Sequence, residues 1–82
     1  MAERTACVYF THPTRGTYGH VTAGQTLFEI ASEALDWFQD PFWKGPRPGP
    51  DTLLEITLVG DHRRWLVRAG RVMEWRGNRQ SV

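Results

Sequence analysis

The chain lacks most of what would announce a function. It has one cysteine, Cys7, among 82 residues. A lone thiol forms no internal disulfide and no multi-cysteine metal site, and it favours a reducing compartment. There is no long apolar run. The opening MAERTACVYF carries charges and no hydrophobic stretch of the kind a signal peptide or membrane span needs, so a cytoplasmic protein without a membrane role is expected. Imidazole and thiol groups are few: His12, His20, His62 and Cys7, with no C-x-x-C and no helical i, i+4 histidine pair, so neither a metal nor a cofactor is expected. Gly16, Gly19 and Gly24 do not follow a strand and open a helix as a dinucleotide loop does.

What is present is ordinary globular composition. Hydrophobic residues make up 40% and charged residues 23%, which excludes a disordered chain. Residues 1–82 are expected to form one domain, near the lower size limit for folding without staples. Four tryptophans are many for this length, and large aromatics help a small core reach stability. The net charge of +1 is unevenly spread. Residues 1–52 hold six acids against four bases, whereas residues 53–82 hold three acids against six arginines. A basic half can face an anionic partner or the acidic face of a second copy.

The chain is organised around Thr26 to Asp40. At 100° per residue, Leu27, Phe28, Ile30, Ala31, Ala34, Leu35, Trp37 and Phe38 fill one side of a helix. Glu29, Ser32, Glu33, Asp36, Gln39 and Asp40 fill the other. Thr26 is the expected N-cap, Glu29 completes a T-x-x-E capping box, and Pro41 ends the helix. So wide an apolar face needs a sheet beneath it.

Thr5 to Thr11 and Thr17 to Ala23 read as a hairpin around His12 to Gly16. Centred on Thr14–Arg15, it would pair Val8 with Val21 and Phe10 with Gly19. Ala6, Val8, Phe10, Val21 and Ala23 would then face the helix, and Cys7, Tyr9, Tyr18, His20 and Thr22 would face away. Pro41 to Asp51 is an irregular Pro/Gly-rich connection holding Phe42 and Trp43. Thr52 to Val59 is the strongest strand. A turn at Asp61-His62 would pair Leu58 with Trp65, Ile56 with Val67, Leu54 with Ala69 and Glu55 with Arg68. A three-residue loop, Gly70 to Val72, would return a last strand carrying Met73 and Trp75, with Glu74 opposite Arg68. Residues 77–82 read as a flexible tail. The expected fold is α+β: a single antiparallel sheet of four to five strands, in the order ββαβββ, with one amphipathic helix on one face.

No catalytic constellation emerges, and an enzyme is not expected. A Cys7–His20 pair across the hairpin lacks the electropositive, shielded pocket that a reactive thiol needs. Glu29, Glu33, Asp36 and Asp40 form a stripe that reads as a solvated helix face. Binding is the better expectation, by a protein partner or as a homodimer. The expected contact surface is the uncovered sheet face with Tyr9, Tyr18, His20, Leu66 and Arg68, beside the Phe42–Trp43 loop. The alternative is a weak RNA or single-stranded nucleic-acid binder using Arg63, Arg64, Arg71, Arg76 and Arg79. The stretch HPTRGTY, the helix with Phe28, Ala34 and Phe38, and Trp43 followed by Gly45 together resemble a set of short bacterial proteins with no assigned activity. Gly24-x-Thr26-Leu27-x-Glu29 with Ala34 is similar to the start of a helix in HicB-type antitoxins. That likeness implies an interaction or regulatory domain and nothing about individual residues.

Overall fold

The computed structural model describes residues 3–61 and 63–80. Two strand–strand–helix units follow each other: β1 Arg4–His12, β2 Gly16–Gly24, α1 Leu27–Gln39, β3 Leu53–Leu58, β4 Arg64–Arg68 and α2 Ala69–Gln80. The strands form one open antiparallel sheet in the order β2-β1-β3-β4. The fold is therefore α+β, with four strands and two helices among the described residues.

Helix α1 forms where its pattern demands. Thr26 is extended and its Oγ1 accepts from the Glu29 N–H at 3.1 Å. Glu29 Oε2 accepts from the Gln25 N–H at 2.8 Å, one residue earlier than a strict capping box would place it. Asp40, extended before Pro41, closes the other end. Ile30, Ala31, Ala34, Leu35 and Phe38 are buried against Ala6, Val8, Phe10, Leu54, Ile56 and Leu58 from the sheet. These sheet residues alternate along β1 and β3, as one buried face requires.

The first hairpin differs from its expected register by one residue. Val8 pairs with His20, Phe10 with Tyr18 and Tyr9 with Gly19. The loop is the three residues Pro13 to Arg15, an odd number where a loop centred on Thr14–Arg15 has an even one, and Gly16 supplies a positive φ of 97° where the chain rejoins the ladder. A shift of one residue exchanges faces along a whole strand. Tyr18, His20 and Thr22 therefore lie on the helix side, and Val21 and Ala23 on the open side. Tyr18 stacks on Phe10 with ring centroids 5.8 Å apart, and His20 stacks on Trp37 at 4.6 Å. Burying the Tyr18 ring adds more apolar area to the core than Val21 would supply there.

The second hairpin is offset by two residues. Ile56 pairs with Trp65, Leu54 with Val67 and Glu55 with Leu66. An even offset keeps every side chain on its expected face, so the apolar pairing survives while the charge pairing changes. Glu55 meets Arg64 at 3.1 Å and not Arg68. His62 lies outside the described residues. Gly60, with φ 85°, and Asp61 form part of a longer connection than the expected two-residue turn.

The largest departure is the C-terminal segment. No fifth strand forms among the described residues, and α2 follows β4 with no intervening loop. The expected loop Gly70–Val72 would have left Val72 in solvent. The helical turn instead places Ala69 and Val72 in the core, both fully buried, with Met73 packed against it. Spacings of three and four on a helix join these residues into one stripe, which a strand cannot do. The Ala69 N–H donates to Thr52 O and the Gly70 N–H to Pro50 O, each at 2.8 Å, so the helix start is tied to the preceding connection. A Cβ at position 70 would sit 2.9 Å from Pro50 O, which makes glycine the residue that permits this approach. Phe28 stacks on Trp75 and Asp36 pairs with Arg76, joining α1 to α2. Both helices thus share one face of the sheet. Residues 77–80, expected in the tail, continue α2.

Candidate interaction surface

The face without helices is built by the strand positions that alternate with the core. Register sets its rows. Gly19, Tyr9, Glu55 and Leu66 lie side by side across the four strands, and Val21, Cys7, Thr57 and Arg64 form the next row. Leu53 faces Arg68 beyond them. Val21, Leu53 and Leu66 are 60%, 52% and 63% exposed, and Tyr9 is 36% exposed. The Tyr9 ring lies against Gly19, where a Cβ would come as close as 2.5 Å to it. Glu55, central in the array, is held by Arg64.

Below these rows the Pro/Gly connection rises beside the sheet. A groove of about 860 Å³ opens between Tyr9, Leu53, Glu55 and Leu66 on the sheet and Pro13 and Pro50 at its rim. The connection itself is well anchored. The Trp43 indole N–H donates to Pro46 O at 2.8 Å, and its ring packs edge-on against Tyr18 and Phe38. Trp43 therefore closes the end of the core on the helix side. Phe42 does the opposite and is 87% exposed.

The expected contact residues divide accordingly. Tyr9, Leu66 and Arg68 stand together on the open face. Tyr18, His20 and Trp43 belong to the helix side, where aromatic stacking holds them, and Phe42 projects from the loop. Val21 and Leu53 are the exposed residues that the sequence reading left off this surface. A correct hairpin register would have placed Val21 there, and strict alternation from Leu54 would have placed Leu53.

Hydrogen bonding to Cys7 and the negative charge of its thiolate form hold the Tyr9 phenol above its ordinary range, with desolvation and the Glu55 carboxylate adding to the effect. A phenol held further from ionisation does not serve as a base near neutrality. Cys7 and His20 lie on opposite faces of the sheet, so the hairpin does not bring them together as a catalytic pair. No group of three or more His, Cys, Asp or Glu side chains is placed to hold a metal among the described residues. No helix among them is long and apolar enough to cross a membrane.

Several arginines are engaged. Arg63 pairs with Asp61 at 3.0 Å and lies 5.1 Å from the Trp65 ring centre. Side-chain and backbone hydrogen bonds from Arg63 bring the Asp61 carboxyl down to about 2. Arg64 pairs with Glu55, and Arg76 with Asp36. Arg68 and Arg71 have no ion pair among the described residues and line a shallow groove with Phe28, Leu53 and Leu66. The side chain of Arg79 lies outside the described residues. No family model, curated protein or solved structure matches this chain.

Proposed function

We propose that the chain is a non-enzymatic interaction domain whose partner is a second copy of itself. The observation that carries this reading is the set Tyr9, Val21, Leu53 and Leu66, exposed on one sheet face of a small domain whose helices both cover the other. An antiparallel sheet can leave one face in water, but that face is then normally polar. Here Val21, Leu53 and Leu66 stand exposed among threonines, Arg68 and the Glu55–Arg64 ion pair. Self-association adds buried area that a small core cannot supply alone.

The test is molar mass by size exclusion with light scattering, at low and high salt and over a range of concentrations. A dimer that persists at high salt is expected, because burial of apolar surface and backbone pairing are not screened. A monomer at every concentration would overturn the reading.

Arg68 and Arg71, with no ion pair among the described residues and beside Leu66, favour a second reading, a weak single-stranded nucleic-acid binder. Three of the other arginines expected to touch phosphates, Arg63, Arg64 and Arg76, are already paired with carboxylates. Two phosphate contacts would give a slope of log affinity against log salt of about −1.4. A titration with a labelled oligonucleotide showing no binding at low salt would remove this alternative.

A further inference from the structure

We infer that two copies join by pairing strand β2 with β2 of the second copy, antiparallel about a two-fold axis, so that both sheets become one. This rests on the self-association proposed above and names where the copies meet.

The argument begins with the two edges of the sheet, β2 and β4. An edge strand presents unpaired N–H and C=O groups, and folded proteins blunt such edges with short length, charge or proline. β4 is blunted: it has five residues, Arg64 to Arg68, with an arginine at each end and Arg63 just before it. β2 is not. It runs nine residues, GTYGHVTAG, without a proline or a permanently charged side chain. No hydrogen bond from a side chain or loop covers its outer backbone groups among the described residues. At about 3.4 Å per residue it offers an edge about 30 Å long.

Charge selects the occupant. When β2 lies antiparallel to its own copy, every residue meets a neutral residue, so self-pairing carries no repulsion between permanent charges. β4 set against its own copy would bring arginines together. β2 against β4 of another copy would be head-to-tail and would run on into a filament, whereas β2 with β2 closes as a dimer. Trp37, 46% exposed and stacked on His20, stands beside this edge, adding an apolar ring where the copies would adjoin. A two-fold axis normal to the sheet keeps both helical layers on one side. The two open faces then form a single continuous surface, which carries Tyr9, Leu53 and Leu66 twice.

The experiment compares molar mass against concentration for the wild type, Thr17→Lys/Val21→Lys and Leu66→Arg, with circular dichroism confirming that each is folded. The two lysines stand on exposed positions of β2 and reproduce the charge that protects natural edges. The expected result is a wild-type dimer, retained in Leu66→Arg and weakened about tenfold or more in the lysine variant. In the wild type, outward β2 amides should also exchange more slowly above the dimer concentration than below it. A dimer lost in Leu66→Arg and kept in the lysine variant would overturn the edge pairing and leave self-association through the open face. Loss in both variants, or in neither, would equally overturn the edge pairing. A wild-type monomer at every concentration would overturn both proposals.

Discussion

Val72 is the residue on which a helical and a hairpin C-terminus differ most. In a Gly70–Val72 loop its side chain would stand in water, and its truncation would cost little. In α2 it is fully buried within the cluster formed with Ala69, α1 and the sheet. Val72→Ala removes two methyl groups, about 1.6 kcal/mol of transfer free energy at about 0.8 each. The space they leave adds up to about 1 kcal/mol where the surroundings do not collapse. The higher helix propensity of alanine returns about 0.5 kcal/mol. The net loss is about 1–2 kcal/mol. For a domain of this size that lowers Tm by roughly 4–16 °C, at about 4–8 °C per kcal/mol. The assay is urea and thermal unfolding followed by far-ultraviolet circular dichroism, with the exposed neighbour Arg71→Ala as reference. The reference change should stay within about 0.5 kcal/mol of wild type. A Val72→Ala midpoint no different from that of Arg71→Ala would refute the helical placement of this segment.

Two further outcomes follow from local geometry. Thr26→Ala removes the oxygen that accepts from the Glu29 N–H and should cost about 1 kcal/mol in the same unfolding assay, whereas Thr26→Ser should cost much less. Asp61, brought down to about 2 by Arg63, binds its proton less readily folded than unfolded. Its contribution to stability is therefore present above the ordinary carboxylate range and is lost as pH falls toward about 2. A carboxyl titration by NMR should find Asp61 near that value, and in Arg63→Gln its midpoint should move upward; an unmoved midpoint would contradict the pairing.

Much of the fold is legible in the residues because local patterns repeat there. Helix α1 has a cap, a carboxylate one turn later, a wide apolar face and a proline stop, and each favours the same limits whatever packs against it. The alternation in Leu53–Leu58 likewise sets which face of β3 is buried, and the two-residue offset with β4 leaves that unchanged. The candidate surface is less legible. Tyr9, Leu66 and Arg68 could be placed from alternation alone. Tyr18 and His20 could not, because a single residue in the length of the turn reverses every side chain of β2. The decision lies with the aromatic cluster of Phe10, Tyr18, Phe38 and Trp43, whose members come from three separate stretches of chain.

The segment from Ala69 onward marks the boundary between the two kinds of information. Its residues tolerate either a strand with Met73 and Trp75 on one side or a helix with Ala69, Val72 and Met73 on one stripe, and helix and strand periods are hard to separate over so few apolar positions. The sequence by itself determined the class of the protein, the helix α1 with both its ends, and the buried faces of β1 and β3, because those depend on contacts between near neighbours. The tertiary structure decided the sheet order, the hairpin registers and the second helix. Each depends on which partner buries more apolar surface, and that partner is distant in sequence: α1 and the 50–52 connection for α2, and the Phe38–Trp43 cluster for β2.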